Sequence, residues 1–117
     1  MRMEDQAFAL TEWTVVDTQT AATATATKSG VAGKTHYITG ITVSADRAPT
    51  AGARFDVKDS TPTTLDSAQV PNAAFAPIMK NYTRPLRCAS GKDATITIPS
   101  LGASVVCTIT IQGYTRT

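Results

Sequence analysis

Residues 22–28 read Ala-Thr-Ala-Thr-Ala-Thr-Lys, an alternation with a period of two. An extended chain sends successive side chains to opposite faces, so this run predicts a strand with one alanine face and one threonine face. An alanine stripe buries little area and cannot hold a register by itself. It needs a neighbour with larger side chains, and residues 34–45 supply one. There Tyr37, Ile41 and Val43 fall on one face, and His36, Ile38 and Thr42 on the other. Gly40, in the middle of that strand, predicts a bulge or a close backbone approach. Residues 29–33, with glycine at 30 and 33, join the two strands as a β-hairpin or as a corner between sheets.

The same punctuation runs through the rest of the chain. Strand character begins at Trp13, and residues 1–10 are expected to form an N-terminal arm. After a turn at 46–52, residues 54–58 alternate with Phe55 and Val57 inward and the charges outward. Residues 63–65 make a short strand. Residues 66–83 are the least regular part, with Pro71, Pro77 and isolated Phe75, Ile78, Met79 and Tyr82. They predict a long loop over the body, with room for a short strand near Ile78. Residues 84–88 are extended, and Pro85 suits an edge. Residues 94–98 and 104–112 read as a hairpin through 99–103, with Val105, Cys107, Ile109 and Ile111 facing the core. This gives seven to eight short strands in one domain, residues 11–117, which is the pattern of an antiparallel β-sandwich or a small barrel. Composition agrees with an all-β chain: threonine and alanine make up about a third of it, and strong helix formers are scarce.

Gly33-Lys34-Thr35 spells the end of a phosphate-binding loop, but the pattern fails. The first glycine of that loop belongs at position 28, where lysine stands, and a strand follows instead of a helix. The single histidine, His36, lies in a threonine-rich strand, and no serine sits in a nucleophile motif beside it. It reads as a half-buried histidine packed on its sheet. His36, Cys88 and Cys107 would give zinc only three ligands without local spacing. The two cysteines read as buried thiols, with a disulfide between neighbouring strands as the alternative. A net charge of +2 from scattered basic residues argues against nucleic acid and against an anionic membrane. The acids at Glu4 and Asp5 interrupt any signal-peptide core, so the chain is expected to be made in a cytoplasm. The expectation is a protein that is not an enzyme, with no catalytic residues, no cofactor, no metal and no small-molecule substrate.

Two stretches carry a resemblance. Residues 27–44, Thr-Lys-Ser-Gly-Val-Ala-Gly-Lys-Thr-His-Tyr-Ile-Thr-Gly-Ile-Thr-Val-Ser, are similar to a segment recurring in small structural proteins of tailed bacteriophages. So is the ending, from Arg84-Pro-Leu-Arg-Cys88 to Cys107-Thr-Ile-Thr-Ile-Gln-Gly-Tyr114. The pattern resembles that of capsid decoration, or cement, proteins. The resemblance implies a jelly-roll-like sandwich, often a homotrimer, that binds the major capsid protein on the outer capsid surface of a virion assembled in the host bacterial cytoplasm. Another head-tail or fibre component, or a carbohydrate-binding sandwich, are the alternatives. Under the decoration reading, the arm and the irregular loop make the shell contacts, through Phe8, Leu10, Phe75, Ile78, Met79 and Tyr82.

Overall fold

The computed structural model describes residues 11–50 and 52–117. Among them are eight strands and no helix: β1 (Thr11–Thr20), β2 (Ala24–Lys28), β3 (Thr35–Ala45), β4 (Ala53–Asp59), β5 (Thr64–Val70), β6 (Ile78–Arg87), β7 (Ala94–Ile98) and β8 (Val106–Arg116). They form two antiparallel sheets, in the orders β1-β8-β3-β6 and β2-β7-β4-β5. The chain changes sheet at every connection except β4–β5. That order is a jelly roll, two Greek keys wound together.

Inward positions of both sheets build one core. Phe55, Val57, Ile96, Ile98, Ile38, Val43, Ile109 and Ile111 are buried within it. The alanine stripe of β2 is completed by its neighbour, since Ala24 pairs with Ile98 and Ala26 with Ile96. The isoleucines of β7 fill what the alanines leave open. The junction at 29–34 is a corner, because β2 and β3 belong to different sheets. Its turn closes through Lys34 N–H donating to the Val31 carbonyl at 3.0 Å, with Gly33 at φ 77°.

Three expectations are corrected. Residues 94–98 and 104–112 do not form a hairpin: β7 pairs with β2 and β4, while β8 pairs with β1 and β3. Residues 99–105 instead carry the chain between sheets. The long loop at 66–83 shrinks to 71–77, because β5 and β6 occupy most of it. Both are edge strands with a single neighbour, so their alternation is weak, and Pro71 and Pro77 lie outside them. The faces of β3 switch midway. Thr39 is an extra residue against β8, where Ile38 pairs with Gly113 and Gly40 with Gln112. This bulge turns His36 and Ile38 inward before it, and Ile41 and Val43 inward after it.

Each open seam of the sandwich is closed by an aspartate. Asp17, on β1, accepts the Thr25 N–H of β2 at 2.9 Å. Asp66, on β5, accepts Lys80 Nζ at 2.9 Å and the Tyr82 hydroxyl at 2.7 Å, both from β6. Burial opposes the charge of Asp66, but its bonds to Lys80 and Tyr82 outweigh that and hold its carboxyl below the usual range. The same arrangement, burial first and then the Asp66 charge, pushes the Tyr82 phenol upward.

Candidate functional site

The connections alternate between two ends, and the ends differ in chemistry. At the His36 end, residues 29–34, 60–63 and 88–93 meet. At the Leu101 end, residues 21–23, 46–50 with 52, 71–77 and 99–105 meet.

The His36 end is laced by side chains. His36 is 1% exposed. Its Nε2 lies 2.7 Å from the Ser29 carbonyl, which can only accept, so Nε2 carries a hydrogen. Nδ1 then accepts from the Thr115 hydroxyl at 2.6 Å, and that hydroxyl accepts the Trp13 indole N–H at 3.0 Å. The Trp13 and His36 rings meet edge to face at 5.6 Å. Histidine is thus more buried than the sequence suggests, and every polar atom of its ring is used inside the fold.

Asp59 ties two of these loops together. Its Oδ1 accepts the Thr61 and Thr63 amides at 3.0 and 3.2 Å and also the Thr61 hydroxyl. Its Oδ2 accepts the Ala89 amide at 2.9 Å. Burial alone would raise this carboxyl. The four bonds prevail and hold it down at about 2. Asp93 Oδ1 accepts the Gly30 amide, and the Asp93 amide donates to Ser60 Oγ, so all three loops are joined.

Cys88 follows β6 at this end, its amide donating to the His36 carbonyl at 3.0 Å. Cys107 pairs with Ala45 at the other end of the same sheet. Nine residues of β3 separate the two positions, on the order of 25 Å, so no disulfide joins them within one chain. Both are buried free thiols, and burial, with Asp59 and Asp93 nearby, pushes the Cys88 thiol up to about 12. The zinc trio of His36, Cys88 and Cys107 is likewise not brought together. Among the described residues, no three metal-ligating side chains converge.

The Leu101 end is held differently. Thr50 N–H donates to the Leu101 carbonyl at 2.9 Å, and the Ala21 and Asp46 amides donate to the Val105 and Val106 carbonyls. Leu101 and Val105 are buried beneath. The described residues of its four connections carry only two charges, Asp46 and Arg47, which pair with each other at 3.4 Å. The rest are mainly alanine, proline, serine and threonine.

The six residues expected to make contacts are scattered. Phe8 and Leu10 lie outside the described residues. Phe75, in the loop 71–77, and Ile78, opening β6, are partly buried against the core at the Leu101 end. Tyr82 is partly buried too, in the Asp66 seam. Met79 is 67% exposed. Thr11, the first described residue, pairs with Thr115 at the His36 end, opposite to the loop 71–77.

One surface feature escaped the sequence. On the outer face of the first sheet, Tyr37 and Tyr114 are register partners whose rings stack at 5.0 Å with 12° between their planes. Beside them is a depression of about 210 Å³ lined by Glu12, Trp13, Thr14, Thr39, Gln112 and Gly113. Gly113 lets β3 and the Trp13 ring come close to β8 beneath it. A Cβ there would run into the Tyr37 carbonyl and come within 2.9 Å of the Trp13 ring. The only sequence signal is the Gln-Gly-Tyr triplet at 112–114, which looks like a strand ending.

Neither a protein-family model nor a curated protein matches the sequence. Among solved structures, the chain is similar to a CBM36 carbohydrate-binding module in complex with calcium and xylotriose, with 16% identity, 83% of this chain and 77% of that one covered, and a TM-score of 0.43. It is similar to the CBM36-1 domain of a multidomain xylanase from the hindgut metagenome of Trinervitermes trinervoides, with 12% identity, coverages of 89% and 96%, and a TM-score of 0.47. It is also similar to a chain in the structure of Tomato Aspermy Virus, with 10% identity, coverages of 90% and 77%, and a TM-score of 0.38.

Proposed function

We propose that this chain is a structural protein of a tailed-bacteriophage virion, a decoration protein that binds the major capsid protein on the outside of the head and reinforces the shell. The observation that carries the reading is the chemistry of the Leu101 end. Four connections converge there with one self-paired couple of charges among small and proline residues, and Met79 stands exposed beside them. Such a surface costs little to desolvate and fits a protein surface better than a charged solute. The sequence resemblance to decoration proteins supplies the identity of that partner. Repetition over a shell lets modest affinity per copy reinforce the particle, and a homotrimer would match a three-fold position.

The test is co-sedimentation with shells assembled from the major capsid protein of a phage that encodes this chain. Saturable binding is expected, and light scattering of the free protein should give three times the 12.3 kDa chain mass. Ala74→Lys combined with Met79→Lys places two charges on the exposed Leu101 end. It should abolish co-sedimentation while leaving the melting temperature unchanged, since both side chains are exposed. A monomer that does not bind shells would overturn the reading. A protein that ignores shells but retains glycans would support the carbohydrate-binding alternative.

A further inference from the structure

We propose that the depression at Gly113 is a binding site for one neutral sugar residue, the end or an exposed branch of a glycan. Its size fits a single ring-sized unit, since about 210 Å³ is below the ~300 Å³ at which sites for drug-sized ligands begin. Its lining fits a polyhydroxylated one. The Glu12 carboxylate accepts, the Gln112 amide both donates and accepts, and the Thr14 hydroxyl does either. The side chains of Thr14 and Gln112 have no hydrogen-bond partner among the described residues, so both are free to bond a ligand. The floor is the backbone of Trp13 and Gly113, so the lining is mainly polar and suits hydroxyl groups. Tyr114, the next residue, projects from the same face and stacks with Tyr37, offering aromatic surface to the C–H side of a sugar ring. Among the described residues no cation lines the depression, and Glu12 repels anions, so uronic and sialic acids are disfavoured.

The site is rigid for a physical reason. Trp13 is fixed by its bond to Thr115, and the Thr39 hydroxyl donates to the Gln112 carbonyl at 3.3 Å across the bulge. The site also lies near the His36 end, away from the proposed shell contact, so a docked copy would leave it exposed. The inference stands apart from the virion assignment and does not depend on it.

Trp13 is the only tryptophan and lies beneath the depression, so binding is followed by its fluorescence together with the amide shifts of Gly113 and Gln112. The intact chain would be titrated with glucose, galactose, mannose, N-acetylglucosamine and N-acetylgalactosamine, and with glucuronate and sialic acid. At least one neutral sugar should give a saturable change with a Kd at or below about 10 mM. Gln112→Ala should weaken that binding about tenfold, the value of one lost hydrogen bond. Thr14→Lys, which fills the depression, should abolish it. Thr97→Ala, on the outer face of the other sheet, should leave it unchanged. No saturable change with any neutral sugar, tighter binding of the acidic sugars, or binding indifferent to Thr14→Lys would each overturn the proposal. Shell co-sedimentation of the Thr14→Lys protein separates the two ideas: it should remain intact whichever way the sugar titration falls.

Discussion

The two ends of the sandwich solve one problem in opposite ways. At the His36 end, the loops are short of apolar residues, and buried or half-buried polar groups hold them: Asp59, Asp93, His36 and Thr115. At the Leu101 end, backbone hydrogen bonds and the buried Leu101 and Val105 do the holding, and few side-chain bonds are needed. The two ends should therefore tolerate change unequally. A network of buried polar groups fails as a unit when one member is lost, whereas a small-residue surface accepts substitution so long as it stays exposed.

The largest expected effect is Asp59→Ala. It removes the acceptor for three amides and a hydroxyl, and should cost about 3 kcal/mol, lowering the melting temperature by roughly 10–20 °C. Asp46→Ala, the matching change at the Leu101 end, removes an exposed bond to the Val106 amide and should move the melting temperature little. Equal losses at both ends would erase the contrast.

Acid should act through the same residue. The folded-state carboxyl of Asp59 is held at about 2 against an ordinary 3.8. Its contribution is therefore present above about pH 4 and is lost as pH falls from there through 2. The loss is on the order of 2 kcal/mol. Urea midpoints of the natural chain should fall over that interval, and those of Asp59→Ala should fall less. Parallel curves would show that Asp59 does not carry the acid sensitivity.

A smaller effect separates backbone from side chain in the Gly-Lys-Thr turn. Gly33 has a φ of 77° and nothing within 4 Å of where a Cβ would stand. Gly33→Val should therefore cost about 1–2 kcal/mol through backbone strain alone. Lys34→Ala, one residue on and exposed, should stay within about 0.5 kcal/mol. A larger loss at Lys34 than at Gly33 would give the lysine a role the fold does not.

That turn was readable from sequence, because a displaced glycine and a following strand are local facts. So were the alternation of β2, β4 and β8 and the sandwich class. What escaped was long-range. Residues 94–98 and 104–112 have the spacing of a hairpin, and nothing in their own pattern reveals that β2 and β4 take one segment while β1 and β3 take the other. In β6, residues 82–85 lie opposite Thr39 alone, an irregularity that absorbs Pro85 and blurs the period. In β3, the single extra residue at Thr39 exchanged the faces that strict alternation predicts. The sugar-sized depression depends on three strands meeting at Gly113, a coincidence of register that no stretch of sequence displays.

The aspartates at the seams have a consequence for behaviour in a crowd. Every open sheet edge offers unpaired amides to other chains, and a protein present in many copies risks edge-to-edge polymerisation. Thr25 sits on such an edge, with its amide pointing away from β7, and Asp17 already occupies it. At the opposite edge, Asp66 draws Lys80 and Tyr82 across the gap, so a charge guards the approach there as well. At those two places an incoming strand meets a carboxylate before it meets the backbone, so copies brought close together are steered away from pairing edge to edge.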